Sequence, residues 1–179
     1  MLILGIATAT EQVGVAVGGH EGVIAAFEVG RGRRHAEILT PAIEFVLRQA
    51  DIGMDEIGCI AVDVGPGLFT GMRVGIAAAK AMAQALRLPM IGISSLDLLA
   101  FPCRHTDRVV VPVIDARKNE VYWAMYRQVP GGVQQVSLPT VGPVDELIAD
   151  LLARSQEALL VGDGAERYRD EIVEGYHCE

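Results

Sequence analysis

Apolar residues recur in short blocks at the start of the chain, and their period then changes. Residues 2–8 (LILGIAT), 12–18 (QVGVAVG) and 22–29 (GVIAAFEV) are apolar-rich runs separated by the turn-forming stretches TATE and GGHE. This pattern predicts a meander of three antiparallel strands. From 35 to 50 (HAEILTPAIEFVLRQA) the period lengthens. Ile38, Leu39, Ala42, Ile43, Val46, Leu47 and Ala50 fall at helical spacing, which predicts an amphipathic helix. Pro41 inside it predicts a kink or a short first turn, and Gly53 a stop. Residues 57–64 (IGCIAVDV) form a near-continuous apolar run, as in a strand covered on both faces. A loop at 65–69 leads to a helix over about 70–86, a strand at 89–93 and a short helix at 95–101.

After a connection at 102–107 (PCRHTD) the order partly repeats. Residues 109–115 and 121–129 read as strands, and GGVQQVSL continues the meander. VGPVDELIADLLARS carries a helix, with Pro143 early and Val144, Leu147, Ile148, Leu151 and Leu152 on one face. ALLVGDGA reads as strand then turn, and ERYRDEIVEGY as a last helix. The expectation is two α/β domains at 1–103 and 104–179, the second a smaller copy of the first in element order.

Composition narrows the class. The chain has 179 residues, 51% of them hydrophobic but only 5% aromatic, so the core is built from Ala, Val, Ile and Leu. No apolar run approaches the roughly 18 residues that span a bilayer, and the start MLILGIA has no basic segment or cleavage site, so neither a membrane segment nor a signal peptide is expected. Three cysteines (Cys59, Cys103, Cys178) make an odd count without a C-x-x-C pair. That fits a reducing cytoplasm and argues against a disulfide framework or a thiolate zinc site. The net charge of −8 argues against nucleic-acid binding by bulk electrostatics. Arg31, Arg33 and Arg34 are the local exception, readable as a solvated loop or a small phosphate footprint.

Three loops could carry chemistry. In VGPGLFTGMRVG, Gly65 and Gly67 permit positive φ or close backbone approach around Pro66. Thr70 suits an N-cap and Gly71 opens the helix. Unpaired first-turn N–H groups with Arg73 nearby would favour an anion. The stretch lacks the Gly-Lys-Ser/Thr ending of a P-loop, and a tight strand-to-helix turn would need the same glycines. In ATATEQ, Thr8 and Thr10 could offer hydroxyls to a phosphate, or simply make a hairpin turn. In IDARKNEVYW, Asp115, Arg117 and Glu120 could form a local ion network or plain turn chemistry. His35 starts the first helix, but four residues on stands Leu39, so the helical metal pair is incomplete. Gly75, Ala78, Ala79, Met82 and Ala85 share a face of the second helix. Leu39, Ile43 and the off-face Phe45 make the first helix apolar around much of its circumference. These features suit either helix-on-sheet packing or a subunit contact.

LGIATAT, RRHAEILTPAIEFVL, VGPGLFTGMRVGIAAAKAMA, LPMIGISSLDLLA and IDARKNEVYWAMY, taken in order, resemble the bacterial TsaB (YeaZ) family over most of residues 2–126. The resemblance implies an actin/sugar-kinase-like α/β fold. It also implies a non-catalytic scaffold subunit of the machinery that makes N6-threonylcarbamoyladenosine in tRNA. Its implied partners are a TsaD-type transferase, a TsaE-type ATPase and a second copy of itself, with tRNA met only through the complex and ATP handled by the partners. The docking face it implies lies on the helices at 35–50 and 71–86, with His35, Leu39, Ile43, Phe45, Gly75, Ala78, Ala79 and Met82 as contact residues. It implies no cofactor and no metal for this subunit. Two positions depart from the family pattern. Ala7 stands where most members carry Asp, and Leu68 where many carry Ser. The alternative is an ATP-dependent small-molecule kinase of the same superfamily with Asp115 as its carboxylate. No nucleophile–base spacing supports a peptidase.

Overall fold

The computed structural model describes residues 1–30, 34–154 and 156–176. Arg31, Arg33, His177 and Cys178 lie outside them. The chain forms two units, Met1–Ser94 and Ser95–Glu179.

In the first unit, β1 (Leu2–Ala7), β2 (Val13–Gly19) and β3 (Gly22–Val29) make the antiparallel meander. β4 (Ile57–Asp63) and β5 (Met90–Ile93) add in parallel, giving the order β3-β2-β1-β4-β5. Period-2 alternation turns Leu4, Ile6, Val13, Val15 and Val17 to one side, where they form a single core with α1 (His35–Ala50) and α2 (Phe69–Leu86). α1 places Leu39, Ala42, Ile43, Val46 and Leu47 there.

Two helices are built differently from the expectation in detail. α1 runs through Pro41 without interruption. Pro41 and Glu37, whose carbonyl would have taken the missing bond, are both exposed, so the lost hydrogen bond falls on the solvent side. α1 is ended by Asp51, not Gly53. Asp51 adopts the left-handed conformation (φ 54°) and returns its N–H to Arg48 and Leu47, a geometry that Asp tolerates better than most side chains. α2 begins one residue early. Leu68 holds the cap position in extended geometry, without a side-chain hydrogen bond. Thr70 lies inside the first turn and is not the N-cap.

The second unit begins with α3 (Ser95–Ala100), which packs beside β6 (Val109–Arg117), so a helix expected ahead of the 103/104 boundary belongs to the later core. β6 is flanked by antiparallel β7 (Glu120–Trp123) and β8 (Tyr126–Val129) on one side and by parallel β11 (Ala158–Val161) on the other. Val109, Val111 and Val113 face a core with α4 (Val144–Arg154) and α6 (Arg169–Tyr176). Val110 and Ile114 face a second core with α3. Burial on both faces is why this stretch is continuously apolar.

The expected single strand at 121–129 is split in two. Val113↔Trp123 and Val110↔Tyr126 share one register, and continuing it sets Pro112 opposite Ala124. Proline has no N–H to give the ladder. Met125 turns instead to Val136 and Ser137, an extension of β9 (Gly132–Gln135). One strand was absent from the expectation. Residues 140–143 form β10 against β7, so Pro143 ends a strand and does not lie in the first turn of α4. The final helical stretch is divided into α5 (Asp163–Arg167) and α6. No helix among the described residues is long and apolar enough to cross a membrane.

Candidate functional site

The loops that follow β1 and β4 come together at the start of α2, bringing Thr8, Thr10, Gly67, Gly71 and Gly75 to one place. Gly65 takes φ 94°, a conformation that disfavours side chains, and donates its N–H to the buried Asp63 carboxylate at 2.9 Å. Gly67 has no such requirement and serves close approach. A Cβ there would overlap the Ala9 carbonyl oxygen, one at Gly71 the Thr8 carbonyl oxygen, and one at Gly75 the Thr8 hydroxyl. Gly71 and Gly75 lie four residues apart on one line of α2, Gly67 stands four residues ahead in the loop before it, and all three are seated on Thr8–Ala9. Leu68 N–H donates to the Ala9 carbonyl at 2.6 Å.

The expected phosphate ligands are largely engaged within the unit. Thr8 is fully buried, and its hydroxyl donates to the Gly71 carbonyl at 2.8 Å. The Thr10 hydroxyl accepts from Gln12 N–H. Arg73 stacks on the exposed Phe69 ring, 3.7 Å from its centroid, an arrangement stabilised by the ring's negative face. His35 is buried with Nε2 2.8 Å from the Thr10 carbonyl. A carbonyl only accepts, so Nε2 carries the proton and offers no lone pair for a metal.

Most residues of the expected docking face are engaged in packing within the unit. His35, Leu39, Ile43 and Ala79 are buried, the last at 0% exposure, and Gly75 is buried against Thr8. Ala78 and Met82 pack partly against the same core. Helix-on-sheet packing has consumed this face. Phe45 remains 39% exposed, and its ring meets Phe27 of β3 edge-on at 5.7 Å. The outward line of α2 is instead Arg73, Ala77, Ala81 and Ala85. Four-residue spacing puts these on one side. Arg34 is exposed and ion-paired with Glu37.

In the second unit the ends of β6 and β11 carry a charged cluster. Asp115 is 6% exposed at its side chain. One carboxylate oxygen lies 3.4 Å from Arg117 and 3.2 Å from Arg167. The other accepts from Arg117 N–H at 3.0 Å and from the Tyr168 hydroxyl at 3.4 Å. Asp115 N–H donates to Asp163. Arg117, Lys118 and Asn119 all take positive φ. Two consecutive such residues make the hairpin turn favoured between twisted strands, and the third accompanies a register shift in β6. Glu120 stands opposite Arg117 in the ladder. The Asp163 carboxyl is raised above the ordinary carboxylate value, chiefly by partial burial. The backbone N–H groups of Asp115 and Gly164 work against this, and the charge of Asp115 adds to it. Deeper in the unit, Asp97 accepts the Tyr126 hydroxyl at 2.7 Å and Asp150 the Trp123 indole N–H at 3.1 Å. Burial, then the hydrogen bond and charge of Asp97, push the Tyr126 phenol well up.

Sequence reasoning missed Arg167, Tyr168 and Asp163 as partners of Asp115, because contacts 48 to 53 residues apart leave no local period. It also missed the seating of α2 on Thr8–Ala9, although glycines at 67, 71 and 75 carried the signal.

A family model described as TsaD, tRNA N6-adenosine threonylcarbamoyltransferase, matches residues 29–162. The chain is 34% identical over 173 residues to the tRNA threonylcarbamoyladenosine biosynthesis protein TsaB of Escherichia coli (strain K12), covering 95% of this chain and 74% of that one. The chain belongs to the TsaB (YeaZ) family. TsaB of Bacillus subtilis (strain 168) is 33% identical over 157 residues, 88% of this chain and 67% of that one. YeaZ from Pseudomonas aeruginosa superposes with a TM-score of 0.74 at 30% identity, over 79% of this chain and 67% of that one. A second structure, of an uncharacterized Pseudomonas aeruginosa protein with similarity to peptidase YEAZ, gives a TM-score of 0.84 at 27% identity, over 96% and 79%. The two-unit α/β fold is thus similar to that of YeaZ, as the motif resemblance implied.

Proposed function

We propose that this chain is a non-catalytic subunit in the biosynthesis of tRNA threonylcarbamoyladenosine, and that it works by docking on a TsaD-type transferase. The family supplies the pathway, since its relatives carry that name. The seating of α2 on Thr8–Ala9 carries the non-catalytic part. Where a phosphate cradle would need open N–H groups and a free hydroxyl, the glycine line meets the chain's own carbonyls and Thr8 is bonded to Gly71. The loop residues Thr8, Thr10, Gly65, Pro66, Gly67, Thr70, Gly71 and Arg73 are therefore read as fixing α2, not as holding a nucleotide. The kinase alternative needs a free carboxylate, and Asp115 is engaged by two guanidinium groups.

The docking surface is read as the outward line of α2, with Arg73, Ala77, Ala81 and Ala85, together with exposed Phe69 and Phe45. Alanines let a facing helix approach closely. A second copy would use the same face when the chain is alone. A TsaE-type ATPase would join the assembly and, with the transferase, handle ATP. At −8 net charge, this subunit would leave most tRNA phosphate contacts to its partners. A cytoplasmic setting follows from that work.

Size-exclusion chromatography with light scattering tests the reading, on the chain alone and mixed with its cognate TsaD-type subunit. The expected result is a heterocomplex that Ala81→Arg abolishes, with the variant's thermal midpoint unchanged. A variant that still assembles would move the interface off α2. Heat from Mg-ATP in calorimetry would revive the kinase alternative.

A further inference from the structure

α4 carries more apolar surface than its core uses. Val144, Leu147 and Leu151 are buried in the second unit. Leu152 follows Leu151, about 100° further round the helix, and is 52% exposed. A lone surface leucine would need no explanation. Leu152 is not alone: Ile148 and Ala149 are its neighbours at helical spacing. With Gly175 of α6 they line a groove of about 460 Å³ between the two helices. Gly175 allows the helices to meet there. A Cβ on it would lie 2.8 Å from the Ile148 side chain, so any larger residue would crowd the groove.

The rim of this groove is acidic on both sides. Asp145 stands on α4, one turn before Ile148 and Ala149, and Glu171 and Glu174 stand one turn apart on α6. No lysine or arginine lines the groove among the described residues. None of the three carboxylates forms an ion pair there either. The result is an apolar floor held between uncompensated negative charges.

A groove between two helices suits a third helix that presents aliphatic residues at i, i+3, i+4 and i+7. The rim selects the charge of that helix, because complementary potentials steer and fix a partner. We infer that the α4–α6 groove is a docking site for a basic amphipathic helix of another protein. Its aliphatic stripe lies on Ile148, Ala149 and Leu152, and its lysines or arginines face Asp145, Glu171 and Glu174. A two-fold-related copy of this chain would set the acidic rim against itself. Nucleic acid or an anionic membrane would be repelled by the same rim. The groove lies wholly in the second unit and is independent of docking through α2.

The probe is a labelled synthetic helical peptide with leucine at i, i+3, i+4 and i+7 and lysine at the flanking positions. Its anisotropy is read against the 179-residue chain. Two control peptides replace the leucines by serine or the lysines by glutamate. The leucine–lysine peptide is expected to bind, and each control to bind about tenfold more weakly or worse. Leu152→Asp should weaken binding by at least about tenfold. The double variant Glu171→Lys, Glu174→Lys should do the same, and should gain affinity for the glutamate peptide. That exchange of preference cannot come from a poorly folded variant. No binding by the wild type overturns the inference. So does equal binding of the serine–lysine peptide, which would mean general attraction to an acidic chain. Binding unchanged in both variants would place the peptide elsewhere and also overturn it. So would self-association of the chain that Leu152→Asp abolishes, since the groove would then belong to a second copy.

Discussion

In the first unit the loops after β1 and β4 meet at close range, with Gly67 and Gly71 against the Ala9 and Thr8 carbonyls and Gly75 against the Thr8 hydroxyl. In the second, the loops after β6 and β11 meet through Asp115, Arg117, Arg167 and Asp163. Both closures lie at the carboxyl ends of parallel strands, the usual place for ligands in open α/β sheets. One closure is steric, made against the Ala9 and Thr8 carbonyls and the Thr8 hydroxyl, with Asp63 and His35 hydrogen-bonded to its loops. The other is electrostatic and half-open to solvent, since its arginines are 45% and 54% exposed. The steric closure should be strong and little affected by salt. The charged one should be weaker and adjustable, because exposed guanidinium groups are screened.

The sharpest way to break this contrast is Gly71→Ala. Its new Cβ meets backbone that no side-chain rotation can relieve, so a loss of about 3 kcal/mol is expected. The single tryptophan, Trp123, lies in the second unit, so its fluorescence reports there, while far-UV circular dichroism follows both units. The circular-dichroism midpoint in urea should fall, equally at acid and neutral pH, with a smaller change in fluorescence. A fall confined to one pH would remove the steric reading.

A moderate effect is expected inside the second unit. Tyr126→Phe deletes the hydroxyl held by Asp97 and should cost about 1.5 kcal/mol. It should also remove a pH dependence. The folded phenol ionises later than the unfolded one, so its stabilisation is complete below pH 10.0 and is lost as pH rises further. Urea titrations of both proteins at rising alkaline pH should converge.

The smallest effect belongs to Asp163. Its folded carboxyl is raised above 3.8, so the folded state holds the proton longer. The resulting stabilisation is present below that value and fades as pH rises through the folded one. Asp163→Asn should flatten the stability profile in that window and leave stability at neutral pH equal or slightly higher. A steeper profile in the variant would mean that Asp163 is held by the cluster as a charged partner.

Much of this was legible in the chain. Period-2 alternation located β1 to β3, and the 3.6-residue period marked α1 to the residue. Other features were hidden for identifiable reasons. Pro143 looked like a helix opener because proline also suits a first turn, and nothing local said that residues 140–143 pair with β7. Leu39, Ile43 and Ala79 looked like a docking face because core-facing and partner-facing stripes share one apolar pattern. Only burial in the folded unit separates them. The Asp115 cluster was half visible. Arg117 is its neighbour in sequence, whereas Arg167 and Tyr168 reach it through the packing of α5 beside β6.

The glycine line also sets the height at which α2 can rest. Advancing the helix by one turn, about 5.4 Å, would bring Ala79 to the place of Gly75 and drive a methyl group into the Thr8 hydroxyl. α2 therefore has a stop in that direction, like a rack whose next tooth is too wide. A protein gripping its outer side cannot push it that way without carrying the β1–β2 hairpin along. Force applied at Ala81 would be felt at Thr8 as displacement of the whole hairpin, not as slippage of one helix over a sheet.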